Sequence, residues 1–303
     1  DERAAVTAVL IDEGTLRRIT PEGERRWPQP AMRHAAVLEA ILLHKPRVVF
    51  VDLILLDALH GPPHTLARVI EMYHARGVPL LFAGAPPSED AAASYPGSGL
   101  VGPLAPFAGQ PGDLTPVAPA LLSMIEHSPT AEIVSVAIGN DRGIVRTYAR
   151  SGPLEGAGEA PTAAVRLYEL AADATLEQPD EPIHLIWNGA PAEPNRLTFR
   201  CAETPGLVRR SLQAVFTPDA LNQTCPATLT VPVINLLAPK PDPDVRDALA
   251  DNVVIYGAAL NGQDLFTTPI HDGLPGLYVH AVATDNLLAL GGEHLRRQIA
   301  LPG

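Results

Sequence analysis

The sequence predicts an α/β protein with a mainly parallel sheet flanked by helices and interrupted by long loop insertions. Two observations carry this expectation. Short apolar, largely β-branched runs that stop at Gly or Asp alternate with stretches whose apolar residues recur every three or four positions, which is the pattern of βαβ units. The last strand-and-helix pair, at 253–256 and 277–290, lies at the opposite end of the chain from the first, so strands near both termini are expected to share one core.

Taken in order, residues 5–11 are mostly apolar and are ended by Asp12, Glu13 and Gly14, a first strand. The stretch 17–30 is polar and contains Pro, and no regular element is predicted there. Ala35, Leu38, Ile41 and Leu42 fall on one helical stripe, which Lys45 and Pro46 end because Pro disfavours helical backbone in the residue before it. The apolar run 48–56 is the next strand, 66–75 a further helix, and 78–83 a third strand closed by Gly84. Right-handed crossovers place these three strands side by side. Residues 85–119, rich in Pro, Gly and Ser without a sustained period, form a long surface insertion. Residues 133–138 and 144–148, separated by Gly139-Asn140-Asp141-Arg142-Gly143, read as a hairpin. An amphipathic helix at 162–172 and a strand at 183–187 follow. Residues 191–230 are expected to hold a strand, a helix and a Cys-containing loop, and 244–249 a short helix. No internal repeat divides the chain, and residues 1–303 are read as a single domain.

Composition narrows the function. With 46% hydrophobic and 18% charged residues the chain can bury a large core. Asp and Glu total 34 against 22 Lys and Arg, a formal charge of −12 with no basic cluster, which argues against nucleic acid and anionic lipid as partners. No apolar run approaches bilayer length, and the opening DERAAVTAVLI lacks the basic start and cleavage site of a signal peptide, so the chain itself is expected to be soluble. A strand that begins almost at residue 1 and the ending HLRRQIALPG after a strong helix are the expectation for a domain cut from a longer protein.

The block 252–290 holds the candidate site. Its strand stops at Gly257, and the loop that follows carries Asp264, Thr267 and Thr268 toward a helix entered through Pro275 and Gly276. Ligands of open α/β sheets bind at the carboxyl ends of strands, where helix N-termini also point. Asp12 and Asp52 end the first two strands on that same edge. Carboxylates on neighbouring strands would repel unless a divalent cation, a cationic ligand or an Arg stood between them; capping of the turns that follow, or pairing with Arg33, is the alternative. Trp27 could stack on a ligand or plug the fold beside its prolines. His280 is either a pH-sensitive contact or metal ligand, or a satisfied buried histidine. Asp264, Thr267 and Thr268 either hold a ligand at the helix N-terminus or order their own loop. Arg146 would bind a carboxylate, within the protein or on a ligand. Asp12, Asp52, Asp264 and Thr268 are expected to converge in one crevice, with Asp264 an exposed carboxylate of little weight in folding.

These residues carry a resemblance. The strand ending in Gly257, Asp264, Thr268-Pro269, Pro275-Gly276, His280-Ala281 and Asp285 resemble the signature of the type-two CHASE domain, an extracellular sensory module of bacterial receptors. Asp12, Trp27-Pro28, Arg33 and Asp52 fit the same pattern, and Gly143-Ile144-Val145-Arg146 is similar to the family's Asp-Gly-x-x-Arg block, with Arg142 where the Asp usually stands and Asp141 beside it. The resemblance implies an extracytoplasmic location, a membrane helix before the domain and further ones after it, and a cytoplasmic histidine kinase or nucleotide cyclase as output. Its signal would be a small molecule or an environmental cue, with a homodimer as a possible assembly. No cofactor is implied, although a divalent cation at Asp12 and Asp52 stays open.

Cys201 and Cys225 lie in a polar segment without the further ligands zinc needs. In an oxidising compartment they are expected to form a disulfide contributing roughly 3 kcal/mol; two free thiols are the alternative. Two other functions remain. With no G-x-S-x-G, H-E-x-x-H, Walker loop or G-x-G-x-x-G after the first strand, an enzyme would be a metal-assisted hydrolase using Asp12 and Asp52. The third reading is a dimerisation or protein-interaction module that binds no ligand.

Overall fold

The computed structural model describes residues 5–21, 27, 29–53, 55, 64–84, 124–125, 127–139, 143–154, 158–176, 182–187, 228–240, 243–260, 264–271 and 273–291. The insertion 85–119, Asp141, Arg142, Cys201 and Cys225 lie outside them.

Strand β1 (Val6–Ile11) is buried at every position, as expected for a strand covered on both faces. Asp12 stops it. With extended backbone, Asp12 caps helix α1 (Glu13–Ile19) by accepting the Thr15 N–H on Oδ1 at 2.6 Å, and Glu13 in the first turn with Arg17 and Arg18 in the last complement the helix dipole. No element is predicted over the polar stretch that α1 enters. Seven residues with Leu16 as the one large buried side chain show too little period to register, and the cap is the only signal.

Helix α2 (Ala31–Leu43) leads to β2 (Val48–Asp52), and α3 (His64–Ala75) leads to β3 (Leu80–Gly84) and β4 (Ala131–Ser135). Short strands β5 (Thr147–Tyr148), β6 (Ser151–Leu154) and β7 (Gly158–Pro161) precede α4 (Ala163–Ala172) and β8 (Ile183–His184). Then come β9 (Leu229–Pro232), α5 (Val233–Leu236), α6 (Pro243–Leu249), β10 (Val253–Ala258), β11 (Leu265–Phe266), β12 (Leu274–Pro275) and α7 (Gly276–Leu290).

Six of these strands make one parallel sheet in the order β4-β3-β2-β10-β1-β9. The expected adjacency of the first two strands is corrected here: β10 lies between β1 and β2, pairing Val6 with Val253 on one side and Asp52 with Gly257 on the other. Val253 to Tyr256 are fully buried, and a run apolar on both faces belongs at the centre of a sheet. Strands from both termini thus share the core, as expected.

The alternation of the strands supplies two hydrophobic layers. Val9, Ile11, Val49, Val51 and Tyr256 face α2, α3, α5 and α6. Ala8, Leu10, Phe50 and Ile255 face α4 and α7. In the first layer the Tyr256 hydroxyl lies 2.8 Å from His34 Nδ1.

Among the described residues the predicted hairpin has no ladder. β4 pairs parallel with β3 at the sheet edge, and β5 pairs antiparallel with β8 in a separate two-stranded sheet, which also confines the strand expected at 183–187 to Ile183 and His184. Gly139 brings the two segments close without a ladder: a Cβ there would lie 2.8 Å from the Thr147 carbonyl oxygen. Asn286 of α7 holds the end of β8 instead, its Oδ1 accepting the Ile186 N–H at 2.6 Å and its amide donating to the Ile186 carbonyl at 3.3 Å. Among the described residues no helix is long and apolar enough to cross a membrane.

Candidate functional site

The carboxyl edge of the sheet closes against the first turn of α7. Gly257 makes this possible, since a Cβ on it would lie 3.3 Å from Asp52 Cβ and 3.4 Å from Leu277 Cβ. After β10 the chain returns through Asp264, which holds a left-handed backbone at φ 48, a region that Asp tolerates better than most side chains. The Asp264 carbonyl accepts the Gly276 N–H at 2.9 Å and closes the loop onto the helix. Its carboxyl packs so closely on Gly276 that a Cβ there would overlap Oδ2. Pro275-Gly276 therefore does more than open a helix: the glycine makes room for the acid.

One turn further, His280 is 2% exposed, its ring meeting Phe50 edge-on at 5.5 Å and Tyr148 at 5.6 Å. Its Nδ1 lies 2.6 Å from the Tyr148 hydroxyl, which accepts the Ala164 N–H at the start of α4 at 3.3 Å. Its other ring nitrogen, Nε2, faces Asp52 Oδ1 at 3.7 Å.

Burial governs the charges. It pushes the Asp52 carboxyl well above the ordinary range, and the neighbouring Asp264 charge adds to the rise. Burial raises Asp264 to about 6, against a smaller pull from the Gly276 N–H. Burial alone lowers His280 to about 3, so its imidazole is uncharged at neutral pH.

The family model of the CHASE2 domain matches residues 1–302. This chain belongs to the CHASE2 domain family. CHASE2 is an extracellular, sensory and non-catalytic domain family of bacterial receptors, which places this domain outside the cytoplasm and removes the support for a hydrolase. No curated protein and no solved structure matches the chain.

Within this CHASE2 domain the expected residues divide. Asp52, Asp264 and His280 come together. Asp264 departs from expectation in being half-buried instead of exposed, because the loop folds back onto Gly276. Asp12 lies on the same edge but caps α1, and β10 keeps it about two interstrand spacings, roughly 10 Å, from Asp52. Asp12 acts instead on Tyr278, whose phenol is raised mainly by burial and further by this charge, against a 3.1 Å hydrogen bond with Thr230 Oγ1. Among the described residues no group of three or more His, Cys, Asp or Glu is placed to hold a metal ion.

Trp27 is half-buried against the first core layer, with its ring 6.2 Å from that of His34 at 88°. Arg33 donates to Gln29 Oε1 at 2.6 Å and Thr20 Oγ1 at 3.3 Å. Arg146 is exposed, and its carbonyl accepts the Leu185 N–H at 2.9 Å. The threonines order the loop: the Thr267 carbonyl accepts the Val145 N–H at 2.8 Å, and Thr268 Oγ1 accepts the His271 N–H at 2.9 Å. Tyr148 and Gly276 belong to the site and were not among the expected ligand-binding residues. A Tyr closing an apolar run needs a partner for its hydroxyl, and that was the available signal. The cleft lined by Ala67, Ile70, Glu71, His74 and His127 contains none of the expected residues.

Proposed function

We propose that this domain senses an extracytoplasmic signal at the crevice formed by Asp52, Asp264 and His280, and passes its state through α7 to the cytoplasmic kinase or cyclase of a membrane-anchored receptor. The observation that supports this reading is the double hold of Asp264 on Gly276, by its carbonyl and by its carboxyl. A ligand or cue that engages Asp264 acts directly on the first turn of α7. In a receptor of this kind membrane helices follow the domain, so a shift or release of α7 is the motion that would carry the signal. A signal can bias that motion only by the difference in its affinity for the two positions of the loop.

Receptor output tests the reading. Asp264→Asn in the full receptor is expected to change basal or stimulated output by at least about fivefold, the low end of an ordinary coupling free energy. Wild-type output from a variant that folds and reaches the membrane would remove the crevice from the signalling path.

A further inference from the structure

Two carboxyls reach the first two turns of α7 from two directions. Asp52 comes from the end of β2, beside Gly257, to face His280, while Asp264 comes from the loop and sits on Gly276. Among the described residues neither carboxyl has an Arg or Lys partner. The groups that face the pair are the uncharged imidazole of His280 from α7, the Tyr148 hydroxyl of β5 behind that imidazole, and the Gly276 N–H. Asp12 and Tyr278 stand farther along the edge. Asp264 is also held at φ 48, a conformation maintained by its surroundings and therefore the first to relax when they are lost.

We propose that Asp52 and Asp264 form a proton latch on α7: with both protonated the Asp264 loop stays seated on Gly276, loss of the Asp264 proton loosens it, and with both ionised their repulsion lifts the loop from the helix. The latch deepens the reading of the crevice as the sensing site and rests on it, and it makes extracytoplasmic acidity the signal. Opening releases a proton to water. Asp264 titrates above the ordinary range when seated and returns toward it when lifted, and lifting also takes away the charge that raises Asp52 beyond the effect of its own burial, so the lifted form binds fewer protons and gains population as pH rises. Acid closes the latch. In this motion α7 keeps its seat on Phe50, so His280 stays uncharged and adds no slope of its own.

Hydrogen exchange of the whole chain across pH 4 to 8, corrected for the intrinsic pH dependence of amide exchange, reads the latch with no receptor output involved. The amides to follow are Gly276, bonded to the Asp264 carbonyl, and Val145, bonded to Thr267 in the same loop. For the wild type the opening constant should rise by about tenfold per pH unit between about pH 4 and 6, roughly a hundredfold in all, and continue upward as Asp52 ionises. In Asp264→Asn it should stay low and flat. In Asp52→Asn, which decides the matter if the first variant does not fold, the rise should end near pH 6. A flat wild-type profile, or a wild-type rise in Asp264→Asn, overturns the latch. Asp264→Asn could still change receptor output after such a result, so the latch can fail while the sensing site stands.

Discussion

Asp264→Asn is expected to stabilise the domain above pH 6 by on the order of 3 kcal/mol and to leave its stability unchanged at pH 4. The carboxyl is raised by burial from its ordinary value to about 6, so the folded form binds more protons than the unfolded chain between those two values. The Asp264 contribution is therefore full below about pH 4, falls as pH rises toward 6, and levels off above it. Asparagine has no charge to bury, keeps an oxygen where the Gly276 N–H points, and tolerates the left-handed backbone at this position. His280 contributes the opposite slope, because burial depresses it to about 3 and stability is lost as pH falls from its ordinary value toward that point. It is common to both proteins and cancels in their difference. Urea unfolding at pH 4 and pH 7.5 measures the effect. A variant less stable than the wild type at pH 7.5 would mean that the ionised carboxylate is bonded strongly enough to outweigh its burial.

Phe50→Ala is expected to cost about 3–5 kcal/mol at any pH. Phe50 is 0% exposed in the centre of β2, and its ring carries the edge of His280, so truncation leaves a cavity beneath the site as well as in the core. Leu265→Ala is the control. Leu265 is 43% exposed beside the same loop, and its loss should stay within about 0.5 kcal/mol. Unfolding midpoints that do not separate these two variants would contradict the packing of α7 on the sheet.

The sequence discloses much of this architecture, and the failures have physical causes. Residues 5–11, 48–56, 78–83 and 253–256 read as strands because β-branched runs covered on both faces leave a signal that needs no partner. Helix α7 was legible from its period, although its first two turns, Gly276 to Ala281 with Ala283 and Thr284, are buried nearly all round. Strand order was not legible: β10 enters between β1 and β2 by a pairing between residues more than 240 positions apart, which no local pattern records. The hairpin failed for the converse reason, since Gly139 to Gly143 carries strong turn chemistry while β4 gains more by extending the parallel sheet and β5 by pairing with β8. In the site, the meeting of Asp52 with Asp264 could be anticipated from strand ends and loop order alone. Tyr148 could not, because its role depends on where a short separate sheet packs against α7. Nor could the burial of the Asp264 carboxyl, which depends on a missing Cβ at Gly276.

The central claim is that Asp52 and Asp264 form one electrostatic unit seated on α7. Carboxyl carbon NMR titration of the aspartates, in the wild type and in Asp264→Asn, tests it most directly. The account predicts that Asp264 titrates at about 6, that Asp52 titrates well above the ordinary carboxylate range, and that Asp52 moves part of the way back once the Asp264 charge is removed. Two independent titrations near 4, with Asp52 indifferent to Asp264→Asn, would contradict it.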